Sequence, residues 1–301
     1  MPTIPRPHDI ARRARRFAQL FVLPPLASLL PWPLSRRLLR ALARWRWLYR
    51  DEVEAALAHA QRAGRVADAG AFGRRLRWRI LVDHMDCFLV PLRGRGYLRR
   101  WVRVEGDPLP QDGPAVFVGS HHGCGYWLLP YLRERGLPVQ IVAPRLAPVL
   151  QAPSPIENLY VRVRHRLLAV ASGRPLAYRG QAAETIGRIL DGGGAAFALA
   201  DMPTSRADAV SVELAGIPAK LAQNMFELAA RHGAPVFLFH SDTDLDSGER
   251  RIRFVRARAH TPEGQVREFA ALLDAAIAAD PTGWRFWSIA PSLLEFPASG
   301  S

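Results

Sequence analysis

Residues 115–127 read Ala-Val-Phe-Val-Gly-Ser-His-His-Gly-Cys-Gly-Tyr-Trp. The apolar, β-leaning run from Ala115 to Val118 breaks at Gly119. It then delivers two adjacent histidines, His121 and His122, just ahead of the apolar, helix-like segment Tyr126 to Leu132. A strand that ends in a polar loop and leads into a helix is the unit from which α/β folds are built. Ligands gather at such strand ends, where loop side chains project into a shared crevice and a neutral imidazole can accept a proton near pH 7. A pair of loop histidines bonded to nearby backbone would give the same local string, so the surrounding chain must decide.

Outward from this stretch the pattern alternates. Apolar runs at 139–143, 175–178, 195–200 and 235–239 are separated by helical patterns near 126–136, 156–169, 181–190 and 219–232, with glycine breaks such as Gly192-Gly193-Gly194. Arg250 to Ala259 reads as a further strand and Gly264 to Ala279 as a closing helix. This order predicts an α/β fold, a mostly parallel central sheet flanked by helices. The chain has 301 residues, 49% of them hydrophobic, enough to bury one large core with an appendage.

The net charge of +14 is unevenly distributed. Residues 1–50 hold eleven arginines against one acid, Asp9, and so carry +10 of it. Lys220 is the only lysine, a skew that reads as genome composition and gives little support to a nucleic-acid partner. Within this region Phe17 to Leu34 is uncharged, but Pro24, Pro25, Pro31 and Pro33 argue against a straight transmembrane helix. Flanking arginines and Trp32, Trp45 and Trp47 suit an anionic bilayer surface. No small-residue cleavage pattern of a secretory signal is present, so the segment is expected to be retained. The division is therefore a basic, proline-interrupted, amphipathic helical segment over 1–50, an α/β domain over 51–296 and a short tail over 297–301. An amphipathic helix packed on the protein's own core is the competing reading of the first segment.

Several residue groups bear on chemistry. Two cysteines, Cys87 and Cys124, cannot form a disulfide framework and lack zinc spacing, which fits a reducing compartment. Cys124 lies close to the expected start of a helix, where a thiolate is favoured and could carry an acyl group; a small residue in a tight turn is the stronger reading. Asp201 follows the strand at 195–200 and could reach a histidine from the neighbouring loop, or serve as a helix cap. Arg145 and Arg179 follow strands and match phosphate geometry, with surface salt bridges as the alternative. Asp83-His84-x-Asp86-Cys87 sits in a helical pattern that points consecutive residues to different faces, so no metal site is assigned. His165, among Arg162, Arg164 and Arg166, is expected on a solvated helix face. The sequence has no P-loop, no G-x-G-x-x-G and no G-x-S-x-G elbow.

A family resemblance joins these pieces. Val104-Glu105-Gly106 followed by the strand ending Gly-Ser-His121-His-Gly123 resembles the lysophospholipid acyltransferase superfamily, in particular its bacterial lipid A acyltransferase branch. So do Tyr178-Arg179-Gly180, the strand ending at Asp201, and Gly216-Ile217-Pro218-Ala219 leading through a helix to Gly233-Ala-Pro-Val. Pro281-x-x-Trp284-x-x-Trp287 resembles the branch's tryptophan motif. The likeness spans roughly 35–290. It implies transfer of an acyl chain from an acyl carrier protein or CoA thioester to a hydroxyl or amine at the cytoplasmic face of the inner membrane. His121 would be the general base, Gly123, Gly216 and Pro218 would help hold substrate, and the chain would act as a monomer, with the thioester as co-substrate and no resident cofactor.

One departure stands out: the acidic residue expected five positions after the family's histidine is Tyr126 here, and counting from His122 gives Trp127. A tyrosine can orient an imidazole but supplies no negative charge. A different dyad, an altered reaction, or a non-catalytic relative that binds acyl chains or acyl carrier protein are the readings this leaves open.

Overall fold

The computed structural model describes residues 7–123, 125–146, 148, 154–178, 180–204 and 209–297. Cys124 and Arg179 lie outside the described residues. Five helices come first: α1 (Pro7–Phe17), α2 (Leu23–Leu29), α3 (Trp32–Leu42), α4 (Arg50–Arg62) and the long α5 (Ala69–Trp101), a π-helical turn over Ala18–Val22 joining the first two. The remainder is β1 (Val102–Gly106), β2 (Ala115–Gly119), α6 (Leu128–Glu134), β3 (Val139–Ala143), α7 (Pro155–Ser172), β4 (Ala177–Tyr178), α8 (Ala182–Asp191), β5 (Ala195–Leu199), β6 (Val210–Leu214), β7 (Ile217–Leu221), α9 (Asn224–Arg231), β8 (Val236–Thr243), β9 (Arg250–Arg256) and α10 (Pro262–Ala279).

Seven strands form one sheet in the order β1-β9-β8-β2-β5-β3-β4. The five from β8 to β4 are parallel, and β9 meets β8 antiparallel, so β1 and β9 run against the rest. The expected α/β class with a mostly parallel sheet is therefore what the chain adopts. β2 lies at the centre, every residue of it buried, and Phe117 stacks on Phe237 of β8. Apolar runs with no alternation are what a strand covered by helices on both faces requires.

The expected helix over 219–232 is shorter at its start. Residues 217–221 instead form β7, paired antiparallel with β6, and the helix begins at Asn224. The alternation Val210, Val212, Leu214 and Ile217, Ala219, Leu221 is the strand signal. Ala215 and Gly216 turn it, both with positive φ, the geometry of a two-residue hairpin.

The N-terminal helices share the main core. Ala27, Leu39, Leu42 and Leu48 are buried within the same cluster as β2 and α5. The Tyr49 hydroxyl donates to the Gln19 carbonyl at 2.9 Å, and Ser35 Oγ to that of Ala27 at 2.7 Å. Pro24 falls in the first turn of α2, where its missing N–H has no helical partner to lose. Among the described residues, no helix is long and apolar enough to cross a membrane. Beneath these helices the Arg250 guanidinium of β9 is fully buried against Asp86 of α5, 2.5 Å away, with the Trp32 ring 4.9 Å from it.

Candidate active site

β2 and β5 are adjacent and in register, with Gly119 opposite Leu199. Two residues past these paired ends stand His121 and Asp201, so equal overshoot from neighbouring strands brings imidazole and carboxylate together. The Ala200 N–H donates to the Gly119 carbonyl at 2.9 Å and extends the ladder to the brink of the loop. Gly119 itself is required, because a Cβ there would lie 2.1 Å from the Phe239 ring.

His121 Nδ1 is 2.8 Å from Asp201 Oδ1, and its backbone N–H donates to Oδ2, also at 2.8 Å. A carboxylate only accepts, so Nδ1 carries the proton and Nε2 is left with a free lone pair. The carboxylate is wholly buried, whereas the imidazole side chain keeps 28% of its surface exposed. This is the polarity that a general base needs: a shielded orienting anion behind a ring open to an incoming proton donor.

The third wall comes from the far end of the chain. Residues 283–285 lie alongside 121–123: Gly123 N–H donates to the Gly283 carbonyl and Arg285 N–H to that of His121, both at 2.9 Å. His122 and Trp284 form an antiparallel bridge. From this strip the Trp284 indole N–H donates to Asp201 Oδ2 at 3.0 Å, and the Phe286 ring lies against His121 with centroids 4.0 Å apart. A face-on aromatic ring favours a cationic partner, so this contact would suit a protonated imidazole. Two glycines permit the approach. A Cβ at Gly123 would meet the Ser241 carbonyl at 1.9 Å, and one at Gly283 would meet the His122 ring at 2.2 Å.

The other candidates take different places. His122 is buried, its Nε2 donates to the Asp280 carbonyl at 3.0 Å, and burial lowers its pKa, so it is neutral and turned away from solvent. Its ring centroid is 4.8 Å from that of His240, on β8. Tyr126 is buried beside Cys87 and Tyr160 with the Arg164 guanidinium 4.8 Å from its ring, and burial pushes its hydroxyl well up. The hydroxyl has no well-formed hydrogen bond among the described residues. His121 Nδ1 is bonded to Asp201, and among the described residues no hydrogen bond joins Tyr126 to that pair.

Arg145 is exposed on the loop after β3, its guanidinium beside Gly180 after β4, on the same strand-end edge as His121 and Asp201. Gly216 and Pro218 belong to the β6–β7 hairpin, which packs on α10; Ala215 N–H donates to Asp274 at 2.6 Å and the Pro218 carbonyl accepts from Glu295 N–H at 2.8 Å. The hairpin is not joined to the His121–Asp201 pair by any described contact. His165 departs from expectation: it is buried on α7, facing Tyr178 with centroids 6.2 Å apart, rather than solvated. The acidic run on α5 is divided among separate partners. Asp83 binds Arg164 and Arg285, the His84 ring meets the Tyr160 hydroxyl at 2.6 Å, and Asp86 binds Arg250.

The segment Pro281-x-x-Trp284-x-x-Trp287 stands out in the sequence without a role attached to it, and Phe286 does not stand out by itself. The aromatic density of Trp284-Arg-Phe286-Trp287 is the signal that something there packs on a site. No family model matches this sequence, and no curated protein matches it.

Proposed function

We propose that this protein is an acyltransferase that moves an acyl chain from a thioester of acyl carrier protein or CoA to a hydroxyl or amine, with His121 as the general base. The observation that carries the reading is the buried Asp201 carboxylate bonded to Nδ1 of a part-exposed His121 at the end of a central parallel strand. Nε2 takes the acceptor proton as the oxygen attacks the thioester carbonyl. Asp201 and Phe286 stabilise the imidazolium, and that proton passes to the departing thiolate as the tetrahedral intermediate collapses to ester and free thiol. In this reading Asp201, reaching across from the next strand, takes over the work of the carboxylate that Tyr126 displaces. Arg145, on the same edge, suits a phosphate of the carrier arm or of a lipid acceptor.

The N-terminal segment supports action at an anionic bilayer surface. Phe17, Leu26, Leu29, Leu34, Trp45 and Trp47 are large apolar side chains left exposed amid the arginines of residues 1–50.

Purified protein incubated with long-chain acyl-carrier thioesters and bacterial lipid extract tests the proposal directly. Acyl transfer should fall about 10²- to 10⁴-fold in His121→Ala, the range for loss of a general base, with folding retained. Undiminished transfer in that variant rules out His121 as the base; thioester binding with no transfer by the unaltered protein would point to a carrier-binding relative.

A further inference from the structure

We infer that Trp284 is a positioning residue that sets the tautomer of His121 through Asp201. The inference rests on the reading of His121 as a base, but its geometry stands apart from the identity of the substrate. Three N–H groups converge on the Asp201 carboxylate: the His121 backbone and the Trp284 indole on Oδ2, and His121 Nδ1 on Oδ1. Among the described residues, the other donor to Oδ2 belongs to His121 itself, so without the indole nothing from a second segment opposes rotation of the carboxylate about its Cβ–Cγ bond. With it, the anion is pinned from a second segment, and Oδ1 is left aimed at Nδ1.

The indole is in turn held by packing. Trp284 is fully buried, packed edge-on against Trp287 at 4.9 Å between centroids, and the Trp287 indole N–H donates to the Pro281 carbonyl at 2.7 Å. The start of the segment is tied down by Asp280, which pairs with Arg79 of α5 and accepts from both the backbone N–H and the hydroxyl of Thr282. His122 closes the arrangement from the other side through the Asp280 carbonyl. Every hydrogen bond named here holds the segment that carries Trp284, and together they leave the His121 lone pair facing out.

Trp284→Phe removes the N–H and keeps a buried ring. Loss of a hydrogen bond to a charged acceptor should lower turnover about ten- to a hundredfold, with KM changing less than about twofold. In 15N-histidine NMR spectra at neutral pH, the unaltered protein should show His121 in the Nδ1–H form, and the variant a mixture of tautomers. Should the smaller ring compromise folding, β-(3-benzothienyl)alanine at position 284 keeps the shape of the indole and replaces only its N–H by sulfur. The same tautomer shift is expected there. Unchanged His121 nitrogen shifts and unchanged turnover in the folded isostere would overturn the role of Trp284. Absence of acyl transfer in the unaltered protein would instead remove the acyltransferase reading and leave the tautomer measurement to decide this one.

Discussion

Asp201 meets His121 at two points, the ring Nδ1 and the backbone N–H, each 2.8 Å from a different carboxylate oxygen. The double contact fixes both where the histidine loop begins and how its ring is turned. It also makes the pair independent of residue 126, because the carboxylate arrives from β5 and not from the helix that follows the histidine. Side chains on neighbouring parallel strands are close in space whatever their separation in sequence, and 80 residues divide these two.

Asp201→Asn tests that pairing without a change of volume. Three donors already point at the carboxylate, so an amide must turn its NH2 toward one of them. If it faces Nδ1, the ring protonates on Nε2 and the base is lost. Replacing the aspartate of a serine protease triad by asparagine lowers turnover about 10⁴-fold for this reason, and a fall of about 10³ to 10⁴ is expected here. A single-turnover acyl transfer assay on a variant with unchanged circular dichroism measures it; a loss below about threefold would separate Asp201 from the chemistry.

Tyr126 gives the opposite expectation. Among the described residues its buried hydroxyl makes no well-formed hydrogen bond, so Tyr126→Phe removes a desolvated polar atom and should leave stability unchanged or raise it by up to about 1 kcal/mol, with transfer unaffected. Tyr126→Glu should not raise turnover, because the site beside Cys87 and Arg164 is separate from the His121–Asp201 pair. A rise in turnover for the glutamate variant would show that the helix after His121 still supplies a catalytic position.

The pH dependence of stability follows from histidines held neutral. Burial, with His122 and Arg79 nearby and only partly offset by Asp242, lowers the His240 pKa from 6.5 to about 4; Arg253 adds to the lowering. Burial also lowers that of His122, with Arg79 adding to the effect and Asp242 and Asp280 opposing it. Between these values the unfolded chain binds more protons than the native one. Stability is therefore complete above about pH 6.5 and falls as pH drops toward 4, by on the order of 3 kcal/mol for His240 alone. Below the ordinary carboxylate range Asp83 and Asp280, both depressed, add a second loss as their arginine pairs are broken. Urea unfolding at pH 7.0, 5.5 and 4.5 measures the first window, and His240→Asn should flatten it; an equally steep slope in that variant would place the titration elsewhere.

Much of this was legible in the sequence, and the exceptions have physical causes. Strands β2 and β5 are uninterrupted apolar runs between turn residues and β3 is broken only by Gln140, so length and flanks mark them. The β6–β7 hairpin was missed because Gly216 reads as a loop break, while its pairing depends on Ala215 taking positive φ, which side-chain identity does not advertise. His165 was misplaced because its arginine neighbours suggested solvent, yet it alone of that run is buried. Asp201 could be named as a partner for His121 from its strand-end position. Trp284 could not, because the pairing of 283–285 with 121–123 is a tertiary contact between segments with no shared periodicity.

Membrane attachment is best tested by point substitutions, since residues 20–49 contribute Leu20, Ala27, Leu39 and Leu48 to the core and their removal would unsettle the fold. Leu26 and Leu29 on α2 are 53% and 60% exposed, and Trp45 and Trp47, stacked on one another at 5.7 Å, are 51% and 41% exposed. Arg93 of α5 donates to the Leu29 carbonyl at 2.9 Å, which brings the exposed Leu92 and a further positive charge beside α2. Sinking each half-exposed leucine into a bilayer surface contributes about 1 kcal/mol, and each nearby arginine about as much again on anionic lipid. Replacing Leu26, Leu29, Trp45 and Trp47 together by serine should lower binding to phosphatidylglycerol-containing vesicles at least about tenfold while sparing the core. The unaltered chain should bind more weakly as salt rises, because screening removes the arginine contribution, and keep a salt-resistant part from apolar burial. Sedimentation with vesicles at about 0.1 and 0.5 M salt separates the two. Equal binding of the serine variant and the unaltered chain at both salt concentrations would mean that this face does not enter the bilayer.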